Sequence, residues 1–388
     1  MNRLSSSIKT VAVNATLTLA TLCVAFALGE FVVRMFFKDL EESVLFPRYQ
    51  TDYRYGRYTL RGNWPNAEFW HTSIDGSWRF VTNSRGFRDT REFDYGKTAG
   101  SLRVLALGDS QTQGYEVRQD QTYAAVLERF LGARGIAAEA INAGVSGFST
   151  AEALAYLEAE GHKYSPDVVV LGFYANDFQD NLKAGLFELD ASGVLVERSY
   201  EHTPGVGVQK LVYSVAPLRW LSENSYFYSL LFNKTWLYFK QRFGRLARGA
   251  AAQPEYAVAK RSGPTPVEVA LAAALIERMQ RFCAERGIRL VVVDIPMLSR
   301  PYRFVSSFPP ALLDRMRAAR VEHVSTDAFL ADLNGAATVH VPHGQHHISE
   351  LTHTLIGVEL GRRISTLNQK DYAPAHAALW RGHAAPQQ

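Results

Sequence analysis

The hydrophobic positions after residue 100 follow two alternating patterns. Short runs of Val, Leu, Ile and Ala predict buried strands, at residues 102–107, 138–141, 168–172, 289–295 and, more weakly, 321–325. Apolar residues at helical spacing and capping residues predict helices between them, at 120–133, from 149 to about 161, from 265 to 287, and from Ser349 onward. Strands that alternate with amphipathic helices predict an α/β fold, a three-layer α/β/α sandwich on a short parallel sheet.

The N-terminal pattern is different. Residues 11–28 carry no charge and follow Arg3 and Lys9, which predicts a transmembrane helix with a cytoplasmic N-terminus. A cleaved signal peptide with a small-x-small site at 25–27 is the alternative. The length of the apolar stretch and its amphipathic continuation at 31–37 favour an uncleaved single-pass anchor. In either case the remainder is exported, so we expect a domain on the periplasmic or extracellular side of a bacterial inner membrane.

These patterns divide the chain into four parts. We expect a membrane anchor at 1–37, an extension of strands and loops at 38–100, an α/β domain at 101–370 with an insertion at 180–262, and a tail at 371–388. The insertion mixes aromatic with basic residues between 208 and 248. Two interpretations stay open: a helical insertion packed on the core, or a lid resting at the membrane interface.

Composition and charge exclude several classes. The net charge of +4 is mild and evenly spread, so we expect no nucleic-acid partner. The two cysteines, Cys23 and Cys283, form no metal-binding pattern and are not expected to pair. We find no phosphate-binding loop, no dinucleotide fingerprint and no Gly-x-Ser-x-Gly after a strand, and therefore predict no cofactor and no α/β-hydrolase fold.

Polar residues follow three successive predicted strands. Gly108, Asp109 and Ser110 form a turn after the first strand, Gly147 lies after the second, and Asn176 follows the third. The carboxyl ends of parallel strands share one edge of a sheet, where open α/β folds bind ligands. A serine hydroxyl there is a candidate nucleophile. The Ser110 and Gly147 N–H groups and the Asn176 amide are candidate donors to an oxyanion.

A serine nucleophile needs a base, and five histidines crowd the region before the final helix: His340, His343, His346, His347 and His353. Clustered histidines also suggest zinc. Neighbouring His346 and His347 point in different directions, and no nearby carboxylate completes a usual zinc pattern. We therefore predict a catalytic base and no metal.

Residues 100–365 resemble the SGNH hydrolases, also called GDSL esterases and lipases. That family carries a serine in Gly-Asp-Ser, a glycine, an asparagine in Asn-Asp and a late histidine, which correspond here to Ser110, Gly147, Asn176 and His347. A second histidine six residues later, as at His353, selects His347, with His346 as the alternate. Residues 83–89 resemble a stretch found in membrane-anchored bacterial members. The resemblance implies a flavodoxin-like SGNH hydrolase fold.

The sequence departs from this family at the acid that orients the histidine. That acid normally lies two or three residues before the histidine, where this chain has Gln345 and Gly344. A backbone carbonyl or an amide can partly replace it, because the acid only holds the ring and stabilises the imidazolium. Asp294 and Asp327 are spatial candidates, although we expect turn and helix-cap roles for them.

The sequence therefore predicts a serine esterase that cleaves O-acyl esters, such as O-acetyl groups, of cell-envelope glycans or lipids through an acyl-serine. Its partners would be an acyl-ester or acylated-glycan substrate and, through the N-terminal helix, the membrane. Two alternatives stay open: an acyltransferase acting on an envelope polysaccharide, and a catalytically impaired envelope scaffold.

Overall fold

The computed structural model describes residues 2–47, 49–202, 206–246 and 263–380. Its helices are α1 (Asn2–Phe36), α2 (Ser110–Gln113), α3 (Tyr123–Gly132), α4 (Thr150–Ala159), α5 (Asp177–Ala184), α6 (Val206–Ser214), α7 (Ala216–Asn224), α8 (Tyr226–Leu246), α9 (Pro266–Ala284), α10 (Pro310–Ala318), α11 (Thr326–Phe329) and α12 (Glu350–Trp380). Its strands are β1 (Gln50–Tyr55), β2 (Tyr58–Asn63), β3 (Glu68–Thr72), β4 (Ser77–Val81), β5 (Leu102–Leu107), β6 (Ala138–Asn142), β7 (Val168–Phe173), β8 (Phe187–Leu189), β9 (Leu195–Glu197), β10 (Glu201–His202), β11 (Arg289–Asp294), β12 (Met297–Arg300), β13 (Arg303–Val305) and β14 (Glu322–Val324).

Five parallel strands form the central sheet, in the order β14-β11-β7-β5-β6. Taken in chain order, this is the 2-1-3-4-5 arrangement of flavodoxin-like folds. The strand order reverses between β5 and β7, and ligands bind outside the carboxyl ends of the strands at such a point. The predicted α/β class and parallel sheet are confirmed.

Alternate side chains of the strands enter two separate cores. Leu105 and Leu107 of β5 pack in a core with residues of α4 and α9, whereas Val104 and Ala106 pack in a core with residues of α3 and α12. Strands that are buried on both faces explain why their sequences are apolar runs without alternation. The three layers follow from this packing.

Element boundaries differ from the predictions where local caps decide them. The helix predicted from residue 120 begins at Tyr123, because a 3-10 turn at Gln119–Gln121 precedes it and the Thr122 side chain caps it. The hairpins β8–β9 and β12–β13 were not predicted, since strands of three or four residues have too little pattern. Helix α12 continues to Trp380 into the predicted tail, and 381–388 lie outside the described residues.

The extension and the insertion pack on each other. Hairpin β1–β2 is joined by β10, which pairs parallel to β2. Tyr213 of α6 packs edge-on against Tyr49, and the Tyr49 hydroxyl donates to the Glu223 carboxylate on α7. In the described part of 180–262, α6 and α7 thus contact the extension.

Helix α1 is long and apolar enough to cross a membrane over Lys9–Phe36, and a signal sequence would share these properties. Its C-terminal part contacts α8. The Phe26 and Phe227 rings lie 5.3 Å apart, edge to face. The Glu30 carboxylate accepts hydrogen bonds from the Phe227 N–H at 3.0 Å and the Ser225 hydroxyl at 2.7 Å. Glu30 thus caps the start of α8 and joins α1 to the insertion.

The close approach of α2 to β7 depends on Gly172. A Cβ at this residue would overlap the Oγ1 of Thr112, which already accepts a hydrogen bond from the Tyr123 hydroxyl at 2.9 Å. The backbone of Gly172 is not in the left-handed region, so space alone requires glycine there.

Replacing Gly172 by Ala should lower the free energy of unfolding by about 1–3 kcal/mol, because the added methyl overpacks a buried contact. Gly96 is the matched control, since a Cβ there meets nothing within 4 Å and its φ is not positive. Chemical denaturation of the two variants measures the difference. Equal stabilities of G172A and G96A would contradict the packing described here.

Candidate active site

Ser110 is the first residue of α2, directly after β5. The Asp109 side chain caps this helix, its Oδ1 accepting from the Gln111 N–H at 2.8 Å. A helix offers no acceptor to its first N–H groups, so the Ser110 N–H stays available for an anion. The local sequence thus places a hydroxyl and a backbone donor together at the sheet edge.

His347 lies against this serine. Its Nε2 is 2.7 Å from Ser110 Oγ, and its Nδ1 is 2.6 Å from the Gly344 carbonyl oxygen. A carbonyl can only accept a hydrogen bond, so Nδ1 carries the proton and Nε2 of the neutral ring accepts from the serine. The backbone therefore fixes the tautomer that a general base requires.

Two residues that the sequence analysis did not single out position His347, one by contact with its ring and the other through the backbone on either side of it. The Tyr115 ring stacks on His347 with centroids 4.1 Å apart and planes at 23°. The Gln111 side chain accepts from the Ile348 N–H at 3.0 Å and donates to the His346 carbonyl at 3.3 Å. Both residues follow Ser110 closely in a segment without periodicity, and adjacency to Ser110 is the one signal that could have found them.

Asn176 lies across the switch point from Ser110. Its Nδ2 donates to Asp109 Oδ2 at 3.1 Å, which fixes the orientation of the amide next to the serine. The following Asp177 accepts from the Thr150 N–H at 2.6 Å and the Tyr174 N–H at 3.0 Å. Asp177 therefore ties the loop after β7 to the start of α4.

Gly147 lies in the loop between β6 and α4 with φ of +80°, a conformation that favours glycine. Hydrogen bonds connect this loop to two parts of the chain. The Val145 N–H donates to the Gly108 carbonyl at 3.0 Å, and the Gln50 amide donates to the Ser146 carbonyl at 2.6 Å. Arg61 also lies beside Gly147 and pairs with Glu152 at 2.8 Å. The extension thus supports the glycine loop, a role the sequence did not predict.

Burial dominates the electrostatics of the two aspartates. It raises the pKa of Asp109 to about 6, although hydrogen bonds from Gln111 and Asn176 oppose the rise. Burial, together with the negative charge of Asp109, raises the pKa of Asp177 well above its usual value. Asp109 is ionised at neutral pH and takes up a proton as the pH falls below about 6.

The other four histidines of the cluster lie in different surroundings and do not face Ser110 together. His346 is exposed. His340 Nε2 is 2.9 Å from the Pro296 carbonyl, His343 pairs with Asp75 at 2.8 Å, and His353 Nδ1 accepts from the Tyr123 N–H at 3.1 Å. Within the ranges that the structure describes, no three His, Cys, Asp or Glu side chains converge on a possible metal site.

The acids considered from the sequence lie elsewhere. Asp294 accepts from the Ser307 N–H at 2.7 Å, the Ser306 hydroxyl at 2.6 Å and the Thr326 N–H at 3.0 Å. These bonds tie β11 to a loop and to the start of α11. Asp327 is exposed on α11. The histidine ring instead donates to the Gly344 carbonyl, the type of substitute that the sequence analysis allowed.

Replacing Asp109 by Asn should remove a pH-dependent loss of stability. The folded-state pKa of about 6 exceeds the unfolded value of 3.8, so the folded wild type keeps a proton that the unfolded chain loses and is penalised as pH rises through this window. At about 1.4 kcal/mol per pKa unit, stability should shift toward the variant by about 2 kcal/mol between pH 4 and 7.

Denaturant titrations across this pH range measure the shift, with D327N as the control for loss of an exposed carboxylate. Parallel curves for wild type and D109N would contradict the burial penalty.

Comparison with known proteins agrees with this architecture. The sequence model of the GDSL-like Lipase/Acylhydrolase family matches residues 106–312, more than half of the 388 residues. No curated relative matches the chain. The match contains Ser110, Gly147 and Asn176, whereas His347 lies after its last residue.

Similar solved structures include the psychrotrophic esterase EstA from Pseudoalteromonas sp., with 15% identity, 69% of this chain and 98% of that chain covered, and a TM-score of 0.39. The lipase/acylhydrolase from Enterococcus faecalis has 17% identity, coverage of 68% and 95%, and a TM-score of 0.37. An acetyl xylan esterase has 11% identity, coverage of 68% and 100%, and a TM-score of 0.37. By the match over residues 106–312, the chain belongs to the GDSL-like lipase/acylhydrolase family and is an ester hydrolase.

Proposed function

We propose that the protein cleaves O-acyl esters through a covalent acyl intermediate on Ser110, with His347 as general base and then general acid. The observation that carries the proposal is the pair of contacts on the His347 ring, 2.7 Å to Ser110 Oγ and 2.6 Å to the Gly344 carbonyl. In the neutral form of the ring these contacts place the proton on Nδ1, so the unprotonated Nε2 faces the hydroxyl.

In the acylation step, Ser110 Oγ attacks the ester carbonyl and its proton moves to His347 Nε2. The imidazolium then donates this proton to the departing alkoxide, which leaves as an alcohol. In deacylation, His347 takes a proton from water, the resulting hydroxide attacks the acyl carbonyl, and the proton returns to Ser110 Oγ. Each proton removed is given back, so the enzyme is regenerated.

The negative charge that develops on the oxygen of the tetrahedral intermediate must be stabilised by hydrogen-bond donors. The Ser110 N–H at the start of α2, the Gly147 N–H and the second hydrogen of the Asn176 amide are our candidates. The bond from Asn176 Nδ2 to Asp109 Oδ2 leaves that second hydrogen for the oxyanion. Pre-oriented donors of this kind stabilise the transition state more than the bound ester.

We infer the substrate class from the proposed location of the enzyme. We propose that α1 stays uncleaved and anchors the catalytic domain to the outer face of a bacterial inner membrane. The contacts of Phe26 and Glu30 with the start of α8 support this, because they make the last turns of α1 part of the folded protein. An enzyme held there would meet acylated envelope glycans and lipid esters.

Replacing Ser110 by Ala should abolish turnover of p-nitrophenyl acetate by the purified full chain and its labelling by a fluorophosphonate, because the attacking oxygen is removed. Ser192, exposed in the turn between β8 and β9, provides the matched control. S192A should label and turn over as the wild type does.

Labelling that persists in S110A would show that the nucleophile is another residue. If an acceptor glycan accelerates release of p-nitrophenol and becomes acylated, the intermediate is passed to a sugar and the enzyme is a transferase. A wild type that neither labels nor turns over any ester contradicts the proposal.

A further inference from the structure

The mechanism above leaves one buried carboxylate beside the site without a task. Glu116 follows the stacked residue Tyr115, and its side chain is fully buried. Neither carboxylate oxygen has a hydrogen-bond partner among the described residues. Nε2 of His71 on β3 lies 3.5 Å from Glu116 Oε1, within ion-pair distance but longer than a typical hydrogen bond. A buried carboxylate that lacks a hydrogen bond among the described residues is costly, so its presence here calls for an explanation.

The backbone of Glu116 is also in an unfavourable conformation. Glu116 has φ of +55°, in the left-handed region that side chains disfavour. The Arg88 guanidinium holds the segment on both sides of it, donating to the carbonyls of Gln113 at 2.7 Å, Gly114, and Val117 at 2.6 Å. Strain held in this way by several bonds typically occurs at functional sites.

The Glu116 carboxylate lies directly against Gly344. A Cβ built on Gly344 would lie 2.6 Å from Glu116 Oε2, so this oxygen lies against the Cα of Gly344. Gly344 is the residue whose carbonyl accepts from His347 Nδ1. A side chain at 344 and the carboxylate of Glu116 would therefore compete for the same volume, and this chain fills it with Glu116.

We propose that Glu116 is the acid of this active site, a positioning residue whose negative charge stabilises the imidazolium form of His347 and restrains Gly344. The inference rests on the proposed function, since it requires His347 to become protonated during turnover. The Gly344 carbonyl fixes the tautomer, and the carboxylate supplies charge across a buried region in which charges are weakly screened. Two groups thus share the task that one aspartate performs in a Ser-His-Asp triad.

Other titratable groups face this region. His71 lies beside Glu116, and Tyr115 stacks on His347. Arg88 donates hydrogen bonds to the segment that carries Glu116. Burial lowers the pKa of His353 to about 3, so that ring stays neutral over the working range. Asp109, beside Ser110, also takes up a proton as the pH falls below about 6. The role of Glu116 is therefore measured by the difference between the pH profiles of E116Q and the wild type, which share the Asp109 titration.

The test compares E116Q, which removes the charge and keeps the shape, with E116D, which keeps the charge on a shorter side chain. E350Q is the matched control, because Glu350 lies three residues after His347 on the same segment but forms an ion pair with Arg118 near the surface. All variants are measured as full chains with p-nitrophenyl acetate and a fluorophosphonate.

We expect E116Q to lower kcat and the labelling rate about 10- to 100-fold with little change in KM, since the charge acts mainly on the protonated ring. The acid-side fall of kcat/KM should move to lower pH by about 1 unit, because removal of a negative charge makes imidazole harder to protonate. E116D should restore part of both effects, and E350Q should match the wild type. If E116Q does not fold, E116D must still show the same shift to a smaller extent.

The inference fails if E116Q has the same kcat and the same acid-side fall of kcat/KM as the wild type. It also fails if E116Q loses activity only in proportion to the loss of folded protein while the acid-side fall of kcat/KM stays at the same pH. It also fails if E350Q reproduces the shift. The proposed function fails separately, if the wild type itself is neither labelled at Ser110 nor active.

Discussion

The hydrogen bond from His347 Nδ1 to the Gly344 carbonyl is the contact on which the chemistry of this site depends. Because a carbonyl oxygen cannot donate, this bond determines which nitrogen of the ring is free, and the free nitrogen lies 2.7 Å from Ser110. An aspartate at this place would fix the same tautomer and add a negative charge. In this chain the two contributions are separable, since the backbone orients the ring and a carboxylate from a different loop lies close by.

The geometry of the sheet explains why distant residues meet here. Strands β5, β6 and β7 are neighbours, so the loops that follow them emerge at one edge. Gly172 lets α2 approach β7. The hydrogen bond from the Val145 N–H to the Gly108 carbonyl joins the loop that contains Gly147 to the turn before Ser110. The extension completes the support, with Gln50 on the glycine loop and Arg88 on the segment after α2. The part of the chain before the family match therefore shapes the site as well.

The strands and helices could be predicted because buried parallel strands are apolar runs and long helices are capped and amphipathic. Strand β5 occupies the predicted residues 102–107, and capping boxes open α4 and α9 as predicted. Ser110, Gly147 and Asn176 could be proposed from their places after successive strands. Tyr115, Glu116 and Arg61 could not, because they lie in irregular or exposed-looking segments whose position relative to the sheet is set by tertiary contacts. No local pattern shows that a glutamate in one loop lies against a glycine more than two hundred residues later.

The most direct test of the account is the tautomer of neutral His347 in the full chain, measured by nitrogen NMR on protein labelled at histidine and assigned by loss of the signal in H347Q. At a pH where the ring is neutral, we expect the proton on Nδ1, with a strongly hydrogen-bonded resonance, and an unprotonated Nε2. A proton on Nε2 would contradict the central claim, because the nitrogen facing Ser110 could then not accept its proton.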